Sequence, residues 1–241
     1  MMQLTPYQWT LGACCGLLAG IAKTGMPAVS ILMVPLMILA LGDARQASGW
    51  LLPLLCLADV FAIYYWRRHA AARALFSLAP WVLAGLAAGA VALSFHERTL
   101  RLIVGIIVVV MLGVYLLTRW RPKALSDRYS APYGVTAGFA TTVANAAGPV
   151  MNLYLLSRRL PKEEFLATGA WFFFVINLAK VPVYAWHGLI TARSLAFGVA
   201  VAPAVLVGAV GGRWLANRMS NEVFEGLVAA LTVASTVLLF L

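Results

Sequence analysis

Two charged residues sit where an apolar sequence tolerates them least. Asp59 lies inside the apolar run 47–66 and Lys180 inside the run 165–186, each near the middle of a segment long enough to cross a bilayer. On insertion scales either charge costs about 3 kcal/mol at the centre of a span, so both are expected to face the protein interior. They hold corresponding places in two similar stretches, Leu57-Ala58-Asp59-Val60 and Leu178-Ala179-Lys180-Val181. A pseudo-twofold arrangement of those stretches would bring opposite charges together, and a direct Asp59–Lys180 ion pair is the expectation. A carboxylate so placed can take up and release a proton, and an ammonium can hold an anion. The competing reading is a clamp that only joins two parts of the chain.

A third cation, Lys23, opens the turn Lys23-Thr24-Gly25-Met26-Pro27, and a second turn reads Thr141-Thr142-Val143-Ala144-Asn145-Ala146-Ala147-Gly148-Pro149. Proline suits the first turn of a helix, where its missing N–H would be unpaired anyway, so Pro27 and Pro149 are expected to start second helical arms. The free N–H groups of such starts carry partial positive charge and attract anions. Hydroxyls from Thr24, Thr141 and Thr142 could add to them. So could amides from Asn145, Asn152 and Asn177, the last one helical turn before Lys180. The candidate substrate contacts are therefore Lys23, Thr24, Gly25, Pro27, Thr141, Thr142, Asn145, Gly148, Pro149, Asn152, Asn177 and Lys180. Asp59 is the candidate proton-coupling group. Ordinary turns at a membrane surface, with Lys23 in solvent, are the plainer alternative.

The elements that must position these residues follow from composition. Of 241 residues, 63% are hydrophobic and 11% charged, whereas soluble domains carry about 25% charged residues. Apolar segments recur at 8–22, 27–42, 47–66, 75–95 and 100–118, then, after a polar linker at 119–131, at 132–144, 149–157, 165–186, 194–214 and 223–241. Several reach the roughly 20 residues that a spanning helix needs. The expectation is an all-α polytopic membrane protein without a soluble domain.

The two series of five also match in detail. Ala19-Gly20 corresponds to Ala137-Gly138, Trp50 to Trp171, Gly85 and Gly89 to Gly208 and Gly212, and Gly105 to Gly226. These offsets of about 120 residues point to an internal duplication, with repeat one at 1–118, the linker at 119–131 and repeat two at 132–241. The first two segments of each repeat are too short for a full crossing and read as broken or re-entrant hairpins. Such a hairpin returns to its starting side and three further spans then carry the chain across, so the two repeats are expected to be inverted. Loops that would share one side hold twelve Lys and Arg residues, among them Arg67, Arg68, Arg158, Arg159, Arg213 and Arg218, against four on the other side. The positive-inside rule makes the richer side cytoplasmic and both termini extracytoplasmic.

Other functions find little support. The formal charge of +10 is scattered in short clusters between apolar stretches, unlike a nucleic-acid-binding face. Cys14, Cys15 and Cys56 lack metal-ligand spacing and read as packing residues. His69, His96 and His187 fall at segment ends, as do most tryptophans, which read as interface anchors rather than as parts of a site. No nucleophile motif, paired acids or phosphate loop appears, so neither an enzyme nor a cofactor is expected. The first apolar run begins near Tyr7 without preceding Lys or Arg and reads as part of the mature fold.

Ala19-Gly20-Ile21-Ala22-Lys23-Thr24-Gly25-Met26-Pro27, the following Val34-Pro35-Leu36 and the weaker echo from Gly138 to Pro149 resemble the TauE/SafE family of sulfite and organosulfonate exporters. The resemblance covers essentially the whole chain. It implies a secondary transporter of the bacterial cytoplasmic membrane that exports a small sulfur-containing anion. Many relatives have a glycine-rich first turn, whereas this one contains Thr24, Met26 and Pro27. A passive anion channel and a non-transporting scaffold or assembly subunit are the alternatives. Membrane lipid is the expected surroundings, and the small-residue helix faces permit a homo-oligomer.

Overall fold

The computed structural model describes residues 4–92, 97–118, 130–144 and 147–238, and every regular element among them is helical. Thr5 starts the first helix with a capping box. Its hydroxyl accepts from the Gln8 N–H and its own N–H donates to the Gln8 side chain, which leads into α1, Pro6–Thr24. A helical element begins at Pro27, but as a six-residue 3-10 helix, Pro27–Leu32, before α2 runs from Met33 to Leu41. Local chemistry accounts for the slower start. Pro27 keeps Met26 out of the helical conformation, at φ -133° and ψ 78°, and the Ser30 hydroxyl donates to the Pro27 carbonyl at 2.7 Å, competing with the backbone ladder. Gly42, at φ 76°, ends α2 in the left-handed conformation.

Asp43 caps α3, Ala44–Trp66, by accepting from the Gln46 N–H at 2.7 Å. There follow α4 (Ala72–Ala92), α5 (Glu97–Thr118), α6 (Ser130–Ala144), α7 (Ala147–Ser157), α8 (Lys162–Trp186), α9 (Ala192–Arg218) and α10 (Asn221–Leu238). Pro149 is the third residue of α7 rather than its first. Among the described residues, four helical stretches are long and apolar enough to cross a membrane: Gln46–Trp66, Arg73–Ala92, Lys162–Trp186 and Ala192–Arg218. Phe76 and Val199 leave about three quarters of their surface uncovered, which suits lipid and would cost free energy in water.

The helices form two compact units, Met1–Ala70 with Gly169–Met219, and Ala71–Thr168 with Ser220–Leu241. In the first, α1 packs along α9, and α3 packs on α1, α2 and α9. The core includes Cys15, Met37, Leu51, Leu54 and Val205. Trp9 and Trp50 both lie against Phe197, at 5.6 and 5.0 Å between ring centroids, so Trp50 is a core residue rather than an interface anchor. In the second unit, α6 packs along α4, and α7 lies on α5, α6 and α10. Ten of the eleven residues of α7 are buried, and at about 1.5 Å rise per residue it is too short to cross the apolar core. The Tyr133 and Ser157 hydroxyls join α6 to α7 at 3.2 Å, and the rings of Tyr133 and Tyr154 stand 5.4 Å apart.

The same small-residue contact appears inside each unit. A Cβ on Gly20 of α1 would run into the Val205 carbonyl of α9, and one on Gly208 would run into Leu17. A Cβ on Gly138 of α6 would likewise meet the Val82 carbonyl of α4, and one on Gly85 would meet Val135. Gly212 abuts Thr24, and Gly89 abuts Thr142. The proline-bearing helices, α9 with Pro203 and α4 with Pro80, play matching parts. Each unit thus packs a shorter helix along a longer one, α1 on α9 and α6 on α4.

Candidate functional site

Asp59 is completely buried in the first unit, held by Lys23 of α1 and Asn177 of α8. Lys23, in the last turn of α1, brings its Nζ to 2.7 Å from Asp59 Oδ1. Asn177 of α8 donates from Nδ2 to Asp59 Oδ2 at 2.6 Å. The Lys23 ammonium also lies 4.1 Å from the centroid of the Phe173 ring, so it is held between a carboxylate and an aromatic face. Phe173 and Asn177 are one helical turn apart on α8, and Lys180 follows one turn later. Lys180 is buried, within electrostatic reach of Lys23, Asp59 and Cys56.

The backbone around Lys23 is fastened from two sides. The Thr24 carbonyl belongs to the last turn of α1, where carbonyls lack intrahelical partners, and the Trp66 indole donates to it at 3.0 Å. The Thr24 hydroxyl lies 2.9 Å from the Gly20 carbonyl and 2.8 Å from the Ala209 carbonyl of α9. Gly25 fits because a Cβ there would strike the Gly212 backbone. A cation at a helix C-terminus also meets the negative end of the helix dipole.

The expected set is therefore gathered only in part. Lys23, Asp59, Asn177 and Lys180 belong to one buried neighbourhood, and Asp59 forms an ion pair with Lys23, which sequence symmetry did not point to. Thr24 and Gly25 serve helix packing, and Pro27 starts the 3-10 helix. The other candidates lie in the second unit. There Thr141 is buried and the Thr142 hydroxyl donates to the Gly138 carbonyl. Gly148 and Pro149 fall in the first turn of α7, and Asn152 donates to the Thr232 hydroxyl at 3.4 Å. Asn145 lies outside the described residues. Sequence reasoning missed Phe173, whose signal was its place one turn before Asn177, and it read Trp66 as an interface anchor although that ring is buried at the site.

A buried pair of this kind is held by mutual compensation. Removing one partner leaves an unpaired buried charge, at about 3–5 kcal/mol, although the intact pair need contribute little net stability because both ions were taken out of water. The buried Lys, Arg, Asp and Glu side chains among the described residues are Lys23, Lys180 and Asp59, two amino groups against one carboxylate.

Helices of spanning length, an apolar exterior and a charged cluster buried in the helix packing define a multi-pass membrane protein of the transport class. The family model described as Sulfite exporter TauE/SafE matches residues 11–239, and the chain belongs to that family. No curated protein and no solved structure matches.

Proposed function

We propose that this protein is a secondary transporter that exports a small sulfur-containing oxyanion, sulfite or an organosulfonate, by alternating access coupled to protons at Asp59. The observation that carries the reading is the Lys23 ammonium, buried 2.7 Å from a single carboxylate in a neighbourhood that holds a second lysine. Family membership supplies the substrate class.

In the resting state Asp59 occupies the face of Lys23 that an anion would need. Protonating Asp59 removes that competitor, and a bound oxyanion then takes its place on Lys23, with Lys180 supplying further positive potential. Losing the anion and the proton restores the pair. Asn177 keeps Asp59 Oδ2 oriented throughout, because its amide can donate to either protonation state. The matching contacts of the two units support a duplicated architecture with inverted repeats, 1–118 and 132–241, each opening with a re-entrant hairpin.

The test is flux into liposomes. Purified protein is reconstituted and assayed with sulfite, sulfoacetate, taurine and sulfate, with and without a pH gradient, alongside Lys23→Ala, Lys180→Ala and Asp59→Asn. Sulfur-anion flux that follows the pH gradient and collapses in both lysine variants is the expected result. Flux that ignores the gradient and exceeds carrier rates makes the protein a channel, and folded protein that moves none of these anions removes the substrate class.

A further inference from the structure

A second cationic feature lies in the first unit. Arg67 and Arg68, just beyond α3, and Arg213 of α9 line a cleft of about 250 Å³ together with Tyr64, Tyr65 and His69. The guanidinium groups are arranged on aromatic faces: Arg213 lies 4.5 Å from the Tyr65 ring centroid and Arg67 lies 5.7 Å from that of Tyr64. Stacking in this way fixes the planar fork and leaves its N–H edges available to an oxyanion. The first unit contains two acids, Asp43 and Asp59. Asp43 caps the opposite end of α3 and Asp59 is engaged by Lys23 and Asn177, so neither neutralises the three arginines.

The cleft lies at the ends of two helices long and apolar enough to span a membrane. One to two turns before it, α3 exposes half of Val60, and α9 exposes more than half of Val207 and of Val210. Tyr64 and Trp214 are 64% and 54% exposed at the level of the arginines, where aromatic rings sit between acyl chains and headgroups. An anion held here would have apolar helix surface on one side and water on the other. Basic pockets at the ends of spanning helices accept phospholipid headgroups on this chemistry.

We infer that the Arg67, Arg68 and Arg213 cleft binds the phosphodiester headgroup of an anionic phospholipid. The oxyanion chemistry is shared with free phosphate and sulfite, and the uncovered apolar helix faces leading to the cleft favour the lipid. The site is separate from the proposed exporter reading and does not depend on it.

The test is native mass spectrometry of the full chain in detergent with phosphatidylglycerol or phosphatidylcholine added, alongside Arg213→Gln and the triple Arg67→Gln/Arg68→Gln/Arg213→Gln. Preferential retention of phosphatidylglycerol is expected, weakened about fivefold per arginine lost and on the order of a hundredfold in the triple variant. Arg213→Gln, a single exposed change, reads the same effect should the triple variant not fold. Equal retention of the two lipids, or retention of phosphatidylglycerol in Arg213→Gln and the triple variant at wild-type strength, would overturn the assignment. Displacement of the lipid by millimolar phosphate or sulfite that itself binds through the same arginines would also overturn it, by making the site one for a soluble anion.

Discussion

The Lys23–Asp59 pair makes a quantitative demand on a double-mutant cycle. Asp59→Asn keeps shape and a hydrogen-bonding group beside Asn177 but leaves Lys23 without its counter-charge, 2.7 Å from a neutral amide. Lys23→Met keeps most of the stem volume against Phe173 but takes the ammonium at 2.7 Å away from a fully buried carboxylate. Each single change should cost about 3–5 kcal/mol. In a chain of this size that corresponds to a fall of roughly 6–20 °C in apparent Tm. The double variant has no unpaired charge at this pair and should lose no more than about 2 kcal/mol, because neutral replacements of buried pairs are often tolerated. The coupling between the two positions is then on the order of 4 kcal/mol or more. Tryptophan fluorescence during heating, on detergent-purified protein, reads all three variants. Single variants that melt within about 2 °C of wild type, with an additive double, would refute the buried-pair reasoning. The same double variant separates structure from function: recovered stability without sulfur-anion flux supports the proposed role, and recovered stability with full flux reduces the pair to a clamp.

Other positions give sharper single tests. Asn177→Ala removes the 2.6 Å donor to Asp59 Oδ2 and should cost about 1.5–3 kcal/mol of thermal stability while weakening the dependence of flux on the pH gradient. Trp66→Phe keeps the ring bulk but leaves the Thr24 carbonyl without its 3.0 Å donor, at about 1–3 kcal/mol, measured by the same melting assay. Gly20→Val and Gly138→Val each push a side chain into a facing helix backbone. Both should destabilise by at least about 1–3 kcal/mol, and matching losses are expected because the two contacts are alike.

Much of the fold was legible because apolar runs and Gly-Pro turns act locally. The boundaries of α3, α8 and α9 fall within a few residues of the expected segments, and the Gly85/Gly89 and Gly208/Gly212 pairs mark real helix contacts. The 3-10 start at Pro27 depended on how one serine and a non-helical Met26 compete with the helix ladder, which apolar periodicity does not register. The site was half legible. Asp59, Lys23, Asn177 and Lys180 stood out as polar groups in apolar surroundings, but sequence symmetry did not point to Lys23 as an ion-pair partner of Asp59. The ion pair is with Lys23 because α1 and α3 pack on each other in the first unit, bringing the last turn of α1 to the carboxylate. Trp50 and Trp66 show the limit of the interface rule: both fall near segment ends, yet tertiary packing buries them.

The parentage of the buried cluster bears on how a carrier could work with it. Lys23 and Asp59 come from the first half of the chain, whereas Phe173, Asn177 and Lys180 come from one helix of the second half. Every polar or aromatic contact that α8 makes to the pair therefore joins the two sequence halves. In the proposed cycle, a displacement of α8 by one helical turn would withdraw Asn177 from Asp59 and Phe173 from Lys23 together, because the two residues share one face. Substrate has to offset the loss of both contacts, so an anion that binds Lys23 without favouring the displaced arrangement would bind and not be carried. Phe173→Ala removes one of those contacts. It should favour the displaced arrangement and raise the apparent affinity for an anion that is carried, even though the ammonium loses its aromatic face. Affinity that falls in Phe173→Ala, with the maximal rate unchanged, would instead make the ring a simple part of the resting site and remove it from the transport cycle.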